Sequence, residues 1–246
     1  MEDKFLFPEL DKVGESTLDS ISSADKFNQW MFETILPYSK GEILEIGSGI
    51  GNISKLFLKS NFNITLSDIR SSYCSTLHDK FKYEKSFKGV EQMDLTDSKF
   101  DEKFQSNFSN FDTVFALNVV EHIKDDRLAI TNGLKLLKKG GHIIILVPSY
   151  QWLYNNFDKE LEHYRRYNLS RLSKIFNPEK TEIIHKQYFN LMGIFGWFVS
   201  GKILGKKEIP SGQMSLYNKL VPVFKILDKL SLNKIGLSSI VVARKK

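Results

Sequence analysis

The stretch GEILEIGSGIGN, residues 41–52, limits the fold of this chain more than any other. A short apolar run, Ile43 to Ile46, leads into glycines at every second position, Gly47, Gly49 and Gly51, and a helix-like segment follows. Glycine at a strand-to-helix turn reaches backbone conformations closed to other residues and lets a ligand come close to the main chain. A nucleotide-like visitor is therefore expected at this turn.

Two common nucleotide loops are excluded. A phosphate loop needs Gly-x4-Gly-Lys-Ser/Thr, and no such string is present. A dinucleotide fingerprint needs Gly-x-Gly-x-x-Gly; counted from Gly47 and Gly49, the third glycine falls on Asn52, and the glycine sits one place early at Gly51.

After the turn, strand-like and helix-like runs alternate. Strands are expected near 42–47, 63–68, 87–93, 111–117, 142–148, 181–189 and 237–244, and helices over 51–60, 71–82, 125–138 and 169–176. A further helix, capped by Ser22 or Ser23, is expected to run to about Leu36. Runs such as IIILV and TVFAL lack a two-residue polar alternation, as strands covered on both faces do. The pattern predicts an α/β fold with a mainly parallel, doubly wound sheet. Two stretches break the alternation, 149–177 and 191–236, and insertions near strand ends usually build a pocket or its lid.

The 246 residues suit a single domain, and 41% hydrophobic content supplies a core without disulfides. The single cysteine, Cys74, suits a reducing compartment and reads as a small buried side chain. No leader is expected in MEDKFLFPEL, and no run reaches the ~20 apolar residues of a membrane span. The net charge of +6 is uneven: from Leu191 onward ten Lys/Arg face two acids, which leaves the rest of the chain slightly acidic.

Acids stand at successive strand tips. Asp68 ends the second strand, where a carboxylate can accept hydrogen bonds from both hydroxyls of a ribose, and Asp94 ends the third. The fourth strand runs into Asn118, Glu121 and His122, and LLKKGG precedes the fifth. As a set, over roughly residues 25–150, these motifs resemble the class I S-adenosylmethionine-dependent methyltransferases. The resemblance implies a seven-stranded sheet with an antiparallel last strand, a helical N-terminal segment, and S-adenosylmethionine as cofactor. It implies that Gly47, Gly49 and Gly51 let the backbone reach the methionine end, with Glu45 supplying negative charge. Asp68 would hold the ribose, Ile69 and Leu95 would sandwich the adenine, Asp94 would bond its amine, and Asn118 and Val119 would line the cleft near the sulfonium. Plainer readings stay open: Glu45 as a satisfied structural acid, Asp68 and Asp94 as turn acids. Asp112 reads as a strand-start residue.

For the methyl acceptor, the candidates are His122 at the cleft edge, and His163 and Arg166 in FDKELEHYRRYN. A histidine there can take the acceptor's proton, and paired arginines, Arg165 and Arg166, can clamp an anion. Against this stands a solvated helix with internal ion pairs, which suits Lys159 and Glu162, and a capping or core role for His122. No metal is expected. In the second insertion Leu216, Leu220, Val223, Leu227 and Leu230 share one helical face with Lys225 and Lys229 opposite. This reads either as a lid packed on the sheet or as a segment lying on anionic lipid.

HYRRY, GWFVSG and the C-terminal GLSSIVVARK look like a bacterial subgroup of these enzymes associated with glycosyltransferase and surface-polysaccharide genes. That association implies a sugar, or a polyprenyl-linked sugar, as acceptor. The leading expectation is O-directed transfer to a small or lipid-linked acceptor in the cytoplasm, either free there or at the inner face of the membrane, with 191–235 as the lid or the membrane-surface contact. Three rivals remain: an RNA methyltransferase, an NAD-dependent sugar oxidoreductase and a non-catalytic scaffold. No RNA-binding module is visible, so no nucleic-acid partner is expected, and no Tyr-x-x-x-Lys pair follows the fourth strand.

Overall fold

A computed structural model describes residues 12–206 and 211–246. The acidic start of the chain and residues 207–210 of the second insertion lie outside the described residues. Seven strands form one sheet: β1 (Ile43–Ile46), β2 (Ile64–Asp68), β3 (Phe87–Gln92), β4 (Phe111–Leu117), β5 (Leu137–Pro148), β6 (Thr181–Phe189) and β7 (Ser238–Lys245). Their order is β3-β2-β1-β4-β5-β7-β6. The first five are parallel, and β7 runs antiparallel to both β5 and β6. This is the expected α/β architecture.

Both faces of the sheet are covered. Leu44, Ile46, Val114, Ala116, Ile143, Ile145 and Val241 face one apolar layer, and Ile43, Ile64, Leu66, Phe115, Ile144, Leu146 and Val242 face the other. Neighbours such as Ile143 and Ile144 go to opposite layers because side chains alternate along a strand. Continuous β-branched runs follow from burial on both faces. On the second layer Phe57, from α3 (Ser54–Lys59), stacks on Phe115 with ring centroids 5.1 Å apart, and both are fully buried. The chain leaves β1 toward β2 on one side, and β4 lies on the other side of β1. The sheet thus opens a crevice at the carboxyl ends of β1 and β4, where open α/β sheets take their ligands.

The N-terminal segment differs from expectation. It holds two helices, α1 (Lys12–Ser22) and α2 (Asp25–Ile35), and neither Ser22 nor Ser23 caps the second. Each hydroxyl instead donates back to a carbonyl of α1, Ser22 to Asp19 and Ser23 to Ser20, as serines in a last helical turn can do. The central helices α4 (Ser71–Phe81), α5 (Phe100–Phe104) and α6 (Asp126–Leu136) connect the strands. β5 begins at Leu137, five residues before its expected start, directly after α6, and takes the KKGG run into the strand with Gly140 at φ 77°.

Two insertions stand over the crevice. The first carries α7 (Asn156–Glu160) and α8 (Leu169–Ser173). The second carries α9 (Leu191–Trp197), a π-helical turn over 198–203, and α10 (Ser211–Leu230). Buried Asp228 joins the two ends of the second insertion by accepting the backbone N–H groups of Asn190 at 2.6 Å and Leu191 at 2.8 Å. α10 packs with Val221 and Phe224 inward, whereas Leu216, Leu220, Val223 and Leu230 are exposed. The leucine face read from the sequence is thus mostly the solvent face of α10.

Candidate active site

The glycine turn closes against the elements around it. Gly47, Gly49 and Gly51 all have positive φ, 68°, 53° and 80°, which a side chain would strain. A Cβ on Gly47 would run into Val119 Cγ2, and one on Gly49 would lie 3.0 Å from Leu18 of α1. Gly51 has a different reason for lacking a side chain: its Cβ would lie 2.6 Å from Phe81, and it packs against α4 rather than lining the cavity.

Asp68 at the tip of β2 is buried and accepts the backbone N–H of Gly49 at 2.9 Å and of Arg70 at 3.0 Å. Burial raises its pKa, and the two amides offset part of the rise. Glu45 at the base of the turn is buried, accepts the Ser54 hydroxyl, and burial pushes it up to about 8. The expected negative charge at Glu45 is therefore mostly absent at neutral pH until a cation lies beside it. Asp94 holds an Asx turn, Oδ1 accepting the N–H of Thr96 at 2.7 Å and its hydroxyl at 2.8 Å.

These groups share one cavity of about 650 Å³, within the roughly 300–1,000 Å³ of small-molecule sites. One end is walled by Glu45, Gly47, Gly49 and Asp68, with Ile69, Asp94, Leu95, Asn118 and Val119 beside them. Asn118 takes a left-handed φ of 55° at the end of β4, which turns the chain into the other end of the cavity.

There Glu121, His122, His163 and Arg166 meet. The expected helix with internal ion pairs does not form, because α7 ends at Glu160. Glu162 takes φ 58° and reverses the chain, so that His163 and Arg166 both turn back onto Asp158. Asp158 is fully buried; Oδ2 accepts the N–H of Asn155 at 3.0 Å in a capping box, while Oδ1 lies 2.8 Å from His163 Nδ1 and accepts Arg166 Nε at 2.7 Å. Burial pushes Asp158 up, but its bonds to His163 and Arg166 outweigh this and hold it below the usual carboxylate range. The arginine pair does not clamp together: Arg165 turns away to Asp126 and the Lys124 carbonyl, and Arg166 alone lines the cavity.

The His122 and His163 rings meet edge to face at 4.6 Å. Burial, and then the neighbouring His163, drive His122 down to about 3, so its ring is neutral. Glu121, given no role from the sequence, is fully buried, has neither carboxylate oxygen hydrogen-bonded, and is pushed by burial up to about 8. Arg166 Nη2 and Trp197 Nε1 are also buried without a partner, and the Arg166 guanidinium lies 4.6 Å over the Trp197 ring.

Residues 44–143 match the family model described as a methyltransferase domain. The matched stretch holds the glycine turn, Asp68 and Asp94, and it supports an S-adenosylmethionine-dependent methyltransferase. The chain is 31% identical over 114 residues to a polyketide synthase–nonribosomal peptide synthetase, ACE1, of Pyricularia oryzae; the match covers 44% of this chain and 3% of that protein. Among solved structures, it is similar to phosphoethanolamine N-methyltransferase 2 of Haemonchus contortus, bound to phosphomonomethylethanolamine and S-adenosylhomocysteine. There the TM-score is 0.60 with 16% identity, over 96% of this chain and 60% of that one. A S-adenosylmethionine-dependent methyltransferase from Archaeoglobus fulgidus gives 0.57 with 17% identity, over 89% and 94%. Such distant likenesses speak to fold, and one fold serves many reactions.

The methyltransferase domain fits S-adenosylmethionine as its cofactor. The donor has no phosphate, and no Lys or Arg stands in residues 41–52. Gly47 and Gly49 line the cavity where a Cβ would meet Val119 and Leu18, and the acids at the tips of β2 and β3 border the same space. When bound, the cofactor supplies an electrophilic methyl group. Asp68, Ile69, Asp94 and Leu95 would hold the ribose and adenine at one end, which would leave the polar end beyond Val119 for an acceptor. Among the described residues no helix is long and apolar enough to cross a membrane.

Proposed function

We propose that the domain methylates an oxygen of a lipid-carried, sugar-like acceptor, working at the inner face of the bacterial membrane. One observation carries this reading: the same segment that closes the cavity presents apolar side chains outward. Gly193, Gly196, Trp197 and Ser200 line the cavity from the second insertion, while Phe195, Val199, Ile203 and Leu204 of that segment are exposed, as are Leu216, Leu220 and Val223 of α10. Exposed Lys202 and Lys219 flank them, the arrangement of a helical segment that rests on an anionic surface. The two buried donors without partners, Arg166 Nη2 and Trp197 Nε1, suit an oxygen-rich acceptor. The likeness of HYRRY and GWFVSG to a polysaccharide-associated subgroup points the same way. Transfer is a positioning problem: acceptor oxygen, methyl and sulfur must lie in line, and the fixed Asp158–His163–Arg166 cluster orients the acceptor side.

The test is transfer of a labelled methyl group by the purified protein to polyprenyl-linked saccharides, free sugars and RNA, offered separately. Label entering the lipid-extractable saccharide as an ether supports the proposal. Transfer to free sugars alone would remove the lipid carrier from it, and transfer to RNA alone would overturn it.

A further inference from the structure

We infer that Glu121, His122 and His163 form a binding site for a divalent first-row transition cation at the acceptor end of the cavity. Their candidate ligand atoms, one from each, all lie within 4.8 Å of one another. Bonds of about 2.0–2.1 Å to such an ion require each to move inward by about 1 Å at most.

Three further features have the chemistry of a ligand shell. Glu121 is fully buried with both oxygens unpaired, and an unpaired buried carboxylate is expensive unless something cationic meets it. His163 has Nδ1 committed to Asp158 at 2.8 Å, which leaves Nε2 for an ion; a carboxylate behind a ligating histidine is the common outer partner. His122 also has a hydrogen bond to the Leu161 backbone. Two imidazoles and one carboxylate favour zinc, iron(II), cobalt or manganese over calcium or magnesium, which prefer oxygen. All three groups border the cavity, so the open coordination positions face the acceptor. On the reading of O-directed transfer, the ion would hold the acceptor hydroxyl and ease loss of its proton to solvent or buffer. His163 is then a ligand rather than the base, and Arg166 stays free to bind the acceptor.

The experiment titrates Co²⁺ into the 246-residue chain after removal of metal with a chelator, following visible absorption and calorimetric heat. One ion per chain, displaced by Zn²⁺ and not by Mg²⁺, is expected. Glu121→Gln and His163→Asn should each weaken binding about 100-fold or more, and Asp158→Asn by about 10–100-fold, as for an outer partner. Zn²⁺ should raise the thermal midpoint of the wild type and not of Glu121→Gln. S-adenosylhomocysteine titrations on the same variants report whether the donor end is intact. No Co²⁺ uptake by the wild type, or unchanged uptake by both ligand variants, overturns the site. Uptake without S-adenosylhomocysteine binding would instead overturn the donor assignment and leave the metal site standing.

Discussion

Asp68 Oδ2 accepts the backbone N–H of Gly49 at 2.9 Å, so the acid at the tip of β2 holds the glycine turn at the tip of β1. The acid proposed to bind the donor's ribose therefore also shapes the loop that would receive its methionine end. Asp68→Ala should weaken S-adenosylhomocysteine binding by ~1.5–3 kcal/mol, the scale of a hydrogen bond to a charged group. Calorimetry would show it, and unchanged affinity would remove Asp68 from the donor site.

Gly47 sits at φ 68° with its Cβ direction blocked by Val119. Gly47→Ala should cost about 1–2 kcal/mol from the left-handed backbone alone, with more from the collision. Trimming the neighbour in Gly47→Ala/Val119→Ala should return part of the stability and leave the backbone share lost. A double variant as unstable as the single one would show that Val119 does not set the room at the turn.

Glu45 binds a proton more tightly in the folded chain than in the unfolded one, its pKa rising from 4.5 to about 8 through burial. Folding thus takes up a proton between those values, and stability falls as pH rises across that window. Glu121 and Asp68 act in the same direction, so the wild type alone cannot isolate Glu45. Glu45→Gln should show a shallower fall in thermal midpoint between about pH 5 and pH 8. Equal slopes for the two proteins would mean that the Glu45 carboxyl is not desolvated.

The frame of the molecule was readable because it rests on local signals. β4 and β6 keep their expected limits, Phe111–Leu117 and Thr181–Phe189: β4 lies inside the sheet and buries Val114–Ala116 on both faces, whereas β6 is an edge strand that carries Glu182, His185, Lys186 and Gln187. Asp68 and Asp94 could be placed because strand tips at a switch point face the crevice. The acceptor end was less readable. The turn at Glu162 is left-handed without a glycine to announce it, and it alone brings His163 and Arg166 onto Asp158. The isolation of Glu121 depends on which groups surround it in space. α1 passed unseen although Leu18 and Ile21, three apart, mark a face that borders the cavity. On α10 the most regular leucine spacing marked the exposed side: the packed face is Tyr217, Val221, Phe224 and Asp228, mixed in character because Asp228 turns inward to bind backbone amides.

That outward face of α10 separates packing from surface contact. Leu216, Leu220 and Val223 are exposed, so replacing all three by Ser removes little buried apolar area, and the thermal midpoint should shift only slightly. If the face rests on lipid, the same change deletes apolar area that would enter the headgroup boundary, at about 0.8 kcal/mol per buried CH₂ group. Flotation with anionic vesicles should then drop several-fold, and turnover should fall for a lipid-carried acceptor while holding for a soluble analogue. A triple variant that floats like the wild type would place the membrane contact elsewhere. One that loses activity equally on both acceptors would show that α10 serves as a lid on the cavity.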